Sequence, residues 1–253
     1  MAENSFKAAL AGGGRLAGLW CQVPSPTVAE VLAHSGCDWL LLDMEHGQAD
    51  LSEVRTQLQA ANGAPAALLV RTPGHDPVLI KRLLDMGAET LLIPMVESAE
   101  QARQLVGATR YPPAGFRGVA GVSRASAYGR DRDYQGAAAQ RTCVVVQIES
   151  VPAVEAAGEI AAVDGVDALF VGPADLSAGM GLLGQPRHAD VEAAVRRVLE
   201  AASAAGKPVG TFGLSPEDAG ARFAEGFRFV SVATDVRLLV QGAVSFLKIA
   251  RGD

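Results

Sequence analysis

Cysteine, basic charge, long apolar runs and aromatic residues are all scarce in this chain, and each scarcity excludes something. The cysteines Cys21, Cys37 and Cys143 are odd in number and form no C-x-x-C pair. That argues against a disulfide framework and leaves reduced, mostly buried thiols of a cytoplasmic protein as the expectation. Lysine and arginine total 22 against 28 aspartates and glutamates, a formal charge of −6, and no long basic run is present. Nucleic-acid binding needs a basic patch and is set aside. No run of about 18 apolar residues could span a membrane. Residues 1–10 lack the charged-then-apolar pattern of a signal peptide, so no export is expected. Aromatics are only 5% of a chain that is 49% hydrophobic and rich in Ala, Gly, Val and Leu, the composition of a globular α/β protein.

What is present is alternation. Strand-like runs fall at 15–20, 38–43, 66–71, 90–93, 142–149, 167–171, 207–212 and 227–232. Helix-like runs follow them at 25–35, 51–61, 77–86, 98–109, 151–162, 190–205, 216–225 and 235–249. Ser98 with Gln101 three residues later forms a capping box. Residues 5–10 read as a short helix covering one end, and 111–141 as one long irregular loop, functional or mobile. Eight strand–helix units in 253 residues predict a single (β/α)8 TIM barrel over 1–253. A doubly wound open sheet is the alternative, weakened because no G-x-G-x-x-G follows an early strand.

The stretch Thr142-Cys-Val-Val-Val-Gln-Ile-Glu149 organises the functional reading. Its β-branched residues suit a strand buried on both faces. Gln147 and Glu149 then appear two apart, on one face at the strand's C-terminal end. A carboxylate is costly to bury unless paired or metal-bound. Read alone, Glu149 equally suits a cap on the next helix or a pair with an arginine. Active sites of these barrels lie at the strands' C-terminal ends. Asp43, Glu45, His46, Arg71, Gln147, Glu149 and Asp175 all fall there.

Glu149 and Asp175 make the natural pair for a hard divalent cation such as Mg²⁺ or Mn²⁺. Arg71 can stabilise an oxyanion, or simply pair with one of the acids. His46 can act as acid or base near neutral pH. His34, His75 and His188 read as surface residues. Gly172-Pro173-Ala174-Asp175 opens a helix after a strand. Its free N–H groups suit a substrate carboxylate, although the same residues make an ordinary βα turn. A Schiff-base aldolase would need a lysine at a strand's C-terminal end. Lys7 precedes the first strand, Lys81 and Lys248 fall in helices, and Lys207 starts a strand. Carbanion chemistry here would therefore need a metal as electron sink.

Taken together, several segments resemble the HpcH/HpaI family of metal-dependent pyruvate aldolases. They are Asp38-Trp-Leu-Leu-Leu-Asp43-Met-Glu-His46, Val70-Arg71, Ile80-Lys-Arg-Leu-Leu-Asp85-Met-Gly87, Leu91-Leu-Ile-Pro-Met-Val96, Arg110-Tyr-Pro-Pro-Ala-Gly-Phe-Arg117-Gly118, Val146-Gln-Ile-Glu149 and Phe170-Val-Gly-Pro-Ala-Asp-Leu-Ser177. They run in family order over nearly the whole chain. The resemblance implies a barrel of the pyruvate/phosphoenolpyruvate type, with Glu149 and Asp175 as ligands to Mg²⁺, Mn²⁺ or Co²⁺. Gln147 would contact pyruvate, and Arg71 would hold its keto oxygen and the enolate. His46, paired with Asp85 and working with a water on the metal, would move the proton. Asp43 would support the metal waters, with Glu45 beside it. The backbone at Ala174 and Asp175, in the Gly172-Pro173 turn, would receive the pyruvate carboxylate. The resemblance also implies a hexamer, a trimer of dimers that exchange the last helix.

The implied reaction is reversible cleavage of a 4-hydroxy-2-oxo acid to pyruvate and an aldehyde. Two segments depart from the family pattern: Thr211-Phe-Gly-Leu-Ser215, and Tyr128 where a tryptophan is associated with the Arg-Ala-Ser run. Both are expected to face the aldehyde half, so sugar-acid and dicarboxylate substrates stay open. The competing readings are a citrate-lyase-like or malyl-CoA-lyase-like enzyme, which needs a CoA surface, and a catalytically silent keto-acid-binding barrel.

Overall fold

A computed structural model describes residues 4–252. From the N-terminus, helix α1 (Ser5–Ala11) leads into β1 (Leu16–Cys21), α2 (Pro26–Ala33), β2 (Trp39–Asp43), α3 (Leu51–Ala60), β3 (Ala67–Arg71), α4 (Pro77–Asp85) and β4 (Thr90–Ile93). Next come α5 (Ala99–Thr109), α6 (Tyr134–Arg141), β5 (Cys143–Ile148), α7 (Val151–Glu155), α8 (Ala157–Ala161) and β6 (Ala168–Val171). The chain ends with α9 (Pro173–Gly179), α10 (Ala189–Ala204), β7 (Val209–Phe212), α11 (Pro216–Glu225), β8 (Phe229–Thr234) and α12 (Asp235–Arg251). All eight strands pair in parallel and in sequence order, and β8 closes on β1. This is a (β/α)8 barrel, as the alternation predicts.

Closure sorts strand side chains into two cores by parity. Leu40, Leu42, Val70, Leu91, Val144 and Val146 face outward and pack with the helices. Trp39, Leu41, Leu69, Val145, Phe170 and Phe229 face inward. Rings crowd the lower interior: Phe6 of α1 sits edge-on to Phe229 at 5.4 Å and to Trp39 at 6.3 Å. Small residues make the room. A Cβ on Gly18 would lie 2.0 Å from the Trp39 indole. Asn4, the N-cap of α1, anchors this plug by donating to the carbonyls of Glu89 and Arg141. The helix expected over 5–10 does cover one end.

Two expectations change. The stretch 111–141 is not wholly irregular, because α6 occupies its last quarter. Tyr134, Ala138 and Arg141 form its buried stripe, and with Gly136 in the first turn that short signal is weak. The helix expected over 151–162 is two helices that meet at Ala156, whose ψ of 0° interrupts the α geometry.

Candidate active site

At the upper end of the barrel the inward positions turn polar. On β2 the series Trp39, Leu41 ends in Asp43, and on β3 Leu69 is followed by Arg71. On β5 Cys143 and Val145 are followed by Gln147 and then Glu149. Asp43, Arg71, Gln147 and Glu149 are each no more than 3% exposed.

Asp43 and Arg71 are cross-strand partners in the β2–β3 register, and the guanidinium grips the carboxylate in a fork. Nε donates to Oδ1 at 2.8 Å and Nη2 to Oδ2 at 2.7 Å. Trp20 Nε1 donates to the same carboxylate at 3.1 Å, and the guanidinium lies 4.9 Å from the Trp20 ring centre. Burial pushes the Asp43 carboxyl up, but the bonds and charge of Arg71 outweigh it and hold the group below the usual range. Glu45 adds a second acid 2.7 Å from Arg71 Nη1. Burial raises its carboxyl, and Arg71 opposes only part of that. Arg71 is therefore fixed in place by Asp43 and Glu45, with Nη hydrogens left over for a ligand oxygen.

Among the described residues Glu149 has no such cation. Its Oε1 accepts the backbone N–H of Met95 at 2.8 Å, and its Oε2 accepts the Gln147 amide in a very short contact. Burial, followed by the nearby charges of Glu45 and Asp175, pushes its carboxyl up to about 7 against the opposing hydrogen bonds. Gln147 Oε1 is buried without a partner. Gly172 leaves the space in front of these groups: a Cβ there would lie 2.6 Å from Glu149 Oε2 and 2.9 Å from Gln147 Nε2. Asp175 stands exposed in the first turn of α9, where helical geometry leaves the N–H groups of Ala174 and Asp175 without intrahelical partners. Among the described residues no group of three or more His, Cys, Asp or Glu is placed to hold a metal. The oxygen set available is two carboxylates and an amide.

A cavity of about 290 Å³ opens over this floor, and His46, Arg71, Gln147, Gly172, Pro173 and Ala174 are on its wall, with Asp175 beside them. So the fold brings together nearly every residue singled out from sequence. Asp85 is the exception. It ends α4, at the opposite end of the barrel from the cavity, and Arg117 Nη2 donates to it at 2.6 Å. Among the described residues, no contact within the chain joins it to His46. Tyr128 also lies away from the cavity of its own chain. It lines a separate groove with Leu58, Gly87 and Arg124 at the lower end, not the aldehyde half of its own barrel. Phe212, Gly213 and Leu214 do reach the cavity, as expected.

Sequence reasoning missed Trp20, Gln22, Ser231 and Arg237 on the cavity wall, and the backbone of Met95. Met95 adopts a φ of 53° just after Pro94. A non-glycine residue in the left-handed region is uncommon, and nothing in the sequence announces that φ. Of the remaining histidines, His75 is half-buried, with Nε2 2.7 Å from the Pro94 carbonyl.

A closed parallel barrel carrying a fixed arginine, a histidine and a buried acid without a cation at its C-terminal mouth defines the class, a (β/α)8-barrel enzyme. The chain belongs to the HpcH/HpaI aldolase/citrate lyase family, whose model matches residues 16–242. It is 49% identical over 253 residues to the hydroxypyruvate/pyruvate aldolase of Chromohalobacter salexigens, covering 99% of this chain and 98% of that protein. It is 47% identical over 243 residues to the 4-hydroxy-2-oxo-heptane-1,7-dioate aldolase of Salmonella dublin, covering 95% and 92%. Its fold matches the crystal structure of an HpcH/HpaI aldolase/citrate lyase family protein from Burkholderia cenocepacia with a TM-score of 0.96 at 44% identity, covering 98% and 99%. These named relatives are aldolases, which are carbon–carbon lyases, and the chain is an enzyme of that kind.

Proposed function

We propose that the protein is a divalent-metal-dependent pyruvate aldolase that reversibly cleaves a 4-hydroxy-2-oxo acid to pyruvate and an aldehyde. The observation that carries this reading is Glu149. Among the described residues it is a buried carboxylate with no cationic partner, beside an unpartnered amide oxygen and a glycine-made space. Hard oxygen donors in a roomy, partly exposed setting fit Mg²⁺, Mn²⁺ or Co²⁺, with Glu149 and Asp175 as the protein ligands. When bound, the cation supplies Lewis-acid stabilisation of the enolate's negative charge.

The chain's own residues do the rest. The N–H groups of Ala174 and Asp175, in the turn opened by Gly172 and Pro173, hold the substrate carboxylate, and Gln147 contacts the keto-acid end. Arg71 donates to the keto oxygen, where charge develops. His46 takes the proton of the C4 hydroxyl. The C3–C4 bond then breaks, the C4–O bond becomes the aldehyde carbonyl, and the electron pair passes through C3 to the keto oxygen. The resulting enolate takes a proton at C3 and leaves as pyruvate. Asp43 holds Arg71 in position throughout, with Glu45 beside it. A partnership of Asp85 with His46 requires Asp85 of a second copy of the chain, because within one chain the two lie at opposite ends of the barrel.

Assembly fits the last helix as well. Of the 17 residues of α12 only Asp235 is buried, and Leu239, Val240, Phe246 and Ile249 stand exposed. Apolar faces of this kind are covered by association. A hexamer built from dimers that exchange α12 is the assembly we propose, with light scattering as its check. The three free thiols suit a reducing, cytoplasmic compartment. The names of the relatives at 47–49% identity favour aldol cleavage over a CoA-ester lyase or a silent keto-acid-binding barrel.

The test is deuterium exchange into the pyruvate methyl group, followed by NMR in metal-stripped protein and again with Mn²⁺ or Mg²⁺ restored and removed before acquisition. Exchange that needs the metal and is lost in Glu149→Ala supports the reading. Bound pyruvate without exchange under any metal overturns it, and turnover of malyl-CoA would then support the CoA-ester lyase.

A further inference from the structure

Among the described residues, the cavity carries a cation that the pyruvate chemistry does not use. The ionisable side chains on its wall are His46, Arg71, Asp175 and Arg237. The charge of Arg71 is answered by Asp43 and Glu45. Arg237, half-buried in the first turn of α12, has no acidic partner and no side-chain hydrogen bond among the described residues. Only its backbone N–H is engaged, donating to Thr234 Oγ1 at 3.2 Å. The nearest acid in sequence, Asp235, is already spent. Its carboxylate accepts the backbone N–H groups of Gln22, Val23 and Val236 at 2.7 to 3.1 Å.

The position of Arg237 gives this cation a meaning. In the closed strand order β8 adjoins β1, while β5 lies across the mouth. Arg237 and Gln22 therefore face the cavity from the side opposite Gln147 and Glu149. The wall beside them holds Phe212, Leu214 and Ala233, an apolar surface suited to a short carbon chain. Below it, Ser231 is 1% exposed, lines the cavity and has a hydroxyl with no partner among the described residues. Buried hydroxyls are normally hydrogen-bonded, so this side of the cavity is built to meet polar atoms of a ligand.

We propose that Arg237 is a specificity-determining residue that selects an aldehyde carrying an anionic group, a carboxylate or a phosphate, at the end remote from its carbonyl. This rests on the pyruvate aldolase reading, with the pyruvate half seated at Gln147, Glu149 and Asp175. The substrate then spans the mouth: its keto-acid end lies at β5 and β6, its carbon chain against Phe212 and Leu214, and its second anion on Arg237. A guanidinium recognises either anion through a charge-assisted fork, and the two are separated by experiment.

The experiment is the addition of pyruvate to succinic semialdehyde, to glyceraldehyde 3-phosphate and to uncharged butanal, by wild type, Arg237→Met and Arg237→Lys. Deuterium exchange into pyruvate is measured on each protein. We expect Arg237→Met to lower kcat/KM for at least one anionic aldehyde by about tenfold or more, mainly through KM. Butanal should change by less than about twofold, and pyruvate exchange should be unaltered. Arg237→Lys, which keeps the charge but loses the fork, should fall between. The anion with the larger loss identifies the tail. Equal losses for charged and uncharged aldehydes, no loss for any, or a wild type that prefers butanal would each overturn the proposal. Intact exchange with a flat Arg237→Met profile removes Arg237 alone. Absence of exchange in wild type removes the pyruvate reading and this proposal with it.

Discussion

Trp39 and Asp43 project from one strand into the same barrel interior, four residues apart. Around Trp39 the interior is filled by the rings of Phe6 and Phe229 and is closed by α1. Around Asp43 it is a network of charge: Arg71, Glu45 and the Trp20 indole N–H. The lower half obtains its stability from burying apolar surface, at about 25 cal/mol per Å². The upper half spends stability on buried charges whose groups balance one another only in part. Asp43 has a cation and is held below the usual carboxylate range, whereas Glu149 has none among the described residues and is pushed up to about 7. Two buried acids in one mouth thus have opposite environments. The unanswered one is where we propose that the cation binds.

That contrast can be broken most severely at Glu149. In Glu149→Gln, metal-dependent pyruvate exchange should fall by about a thousandfold or more, a loss of roughly 4 kcal/mol of barrier lowering. The metal-free variant should nonetheless be the more stable protein at pH 8. A carboxyl whose folded value lies above its unfolded one costs stability as pH rises, beginning near its ordinary value of 4.5 and reaching the full cost above about 7. Melting of both metal-free proteins from pH 5 to pH 8 checks the sign, and a gap that shrinks as pH rises would refute it.

Arg71→Met breaks the balanced side of the comparison. Exchange should fall by about 10²–10³ through loss of the oxyanion donor. Stability should also fall, by about 3–5 kcal/mol, because Asp43 is left as a buried charge without a cation. Denaturant unfolding separates it from Glu149→Gln, which should not be destabilised at neutral pH.

The lower half is probed by Gly18→Ala. Its Cβ would meet the Trp39 indole at 2.0 Å, and overpacking of this kind costs about 1–3 kcal/mol. Melting should drop while pyruvate exchange per folded molecule stays unchanged. A parallel loss of exchange would mean that the two halves are mechanically coupled.

The smallest effect concerns protons and metal competing at Glu149. Mn²⁺ affinity should fall by about tenfold per pH unit below about 7 and level off above it, since the cation binds the ionised carboxylate. Titration calorimetry at several pH values would show the bend. A flat profile would place the metal elsewhere.

Much of the upper half is legible in the sequence. Asp43, Arg71, Gln147 and Glu149 each end a near-continuous apolar run, so their end of the barrel follows from local pattern, as does the face that Gln147 and Glu149 share. Asp85 and Tyr128 were not placeable by that route. Asp85 belongs to a helix that runs back down the barrel, and Tyr128 to a loop with no periodicity. Both came to lie at the lower end, Asp85 held by Arg117. Helix α6 was lost inside the same loop because its buried stripe is brief.

By itself the sequence determined the eight strand–helix units, the shared face of Gln147 and Glu149, and the polar groups at the C-terminal ends of four strands. Those properties depend on a two-residue period and on neighbouring residues. Only the tertiary structure decided which delivered groups meet. The Met95 N–H reaches Glu149, Gln22 and Arg237 line one cavity, and Arg237 is left without an acid among the described residues because Asp235 accepts from the backbone that follows β1. Such meetings depend on strand register and on the closure of β8 against β1, contacts between distant parts of the chain that no local period encodes.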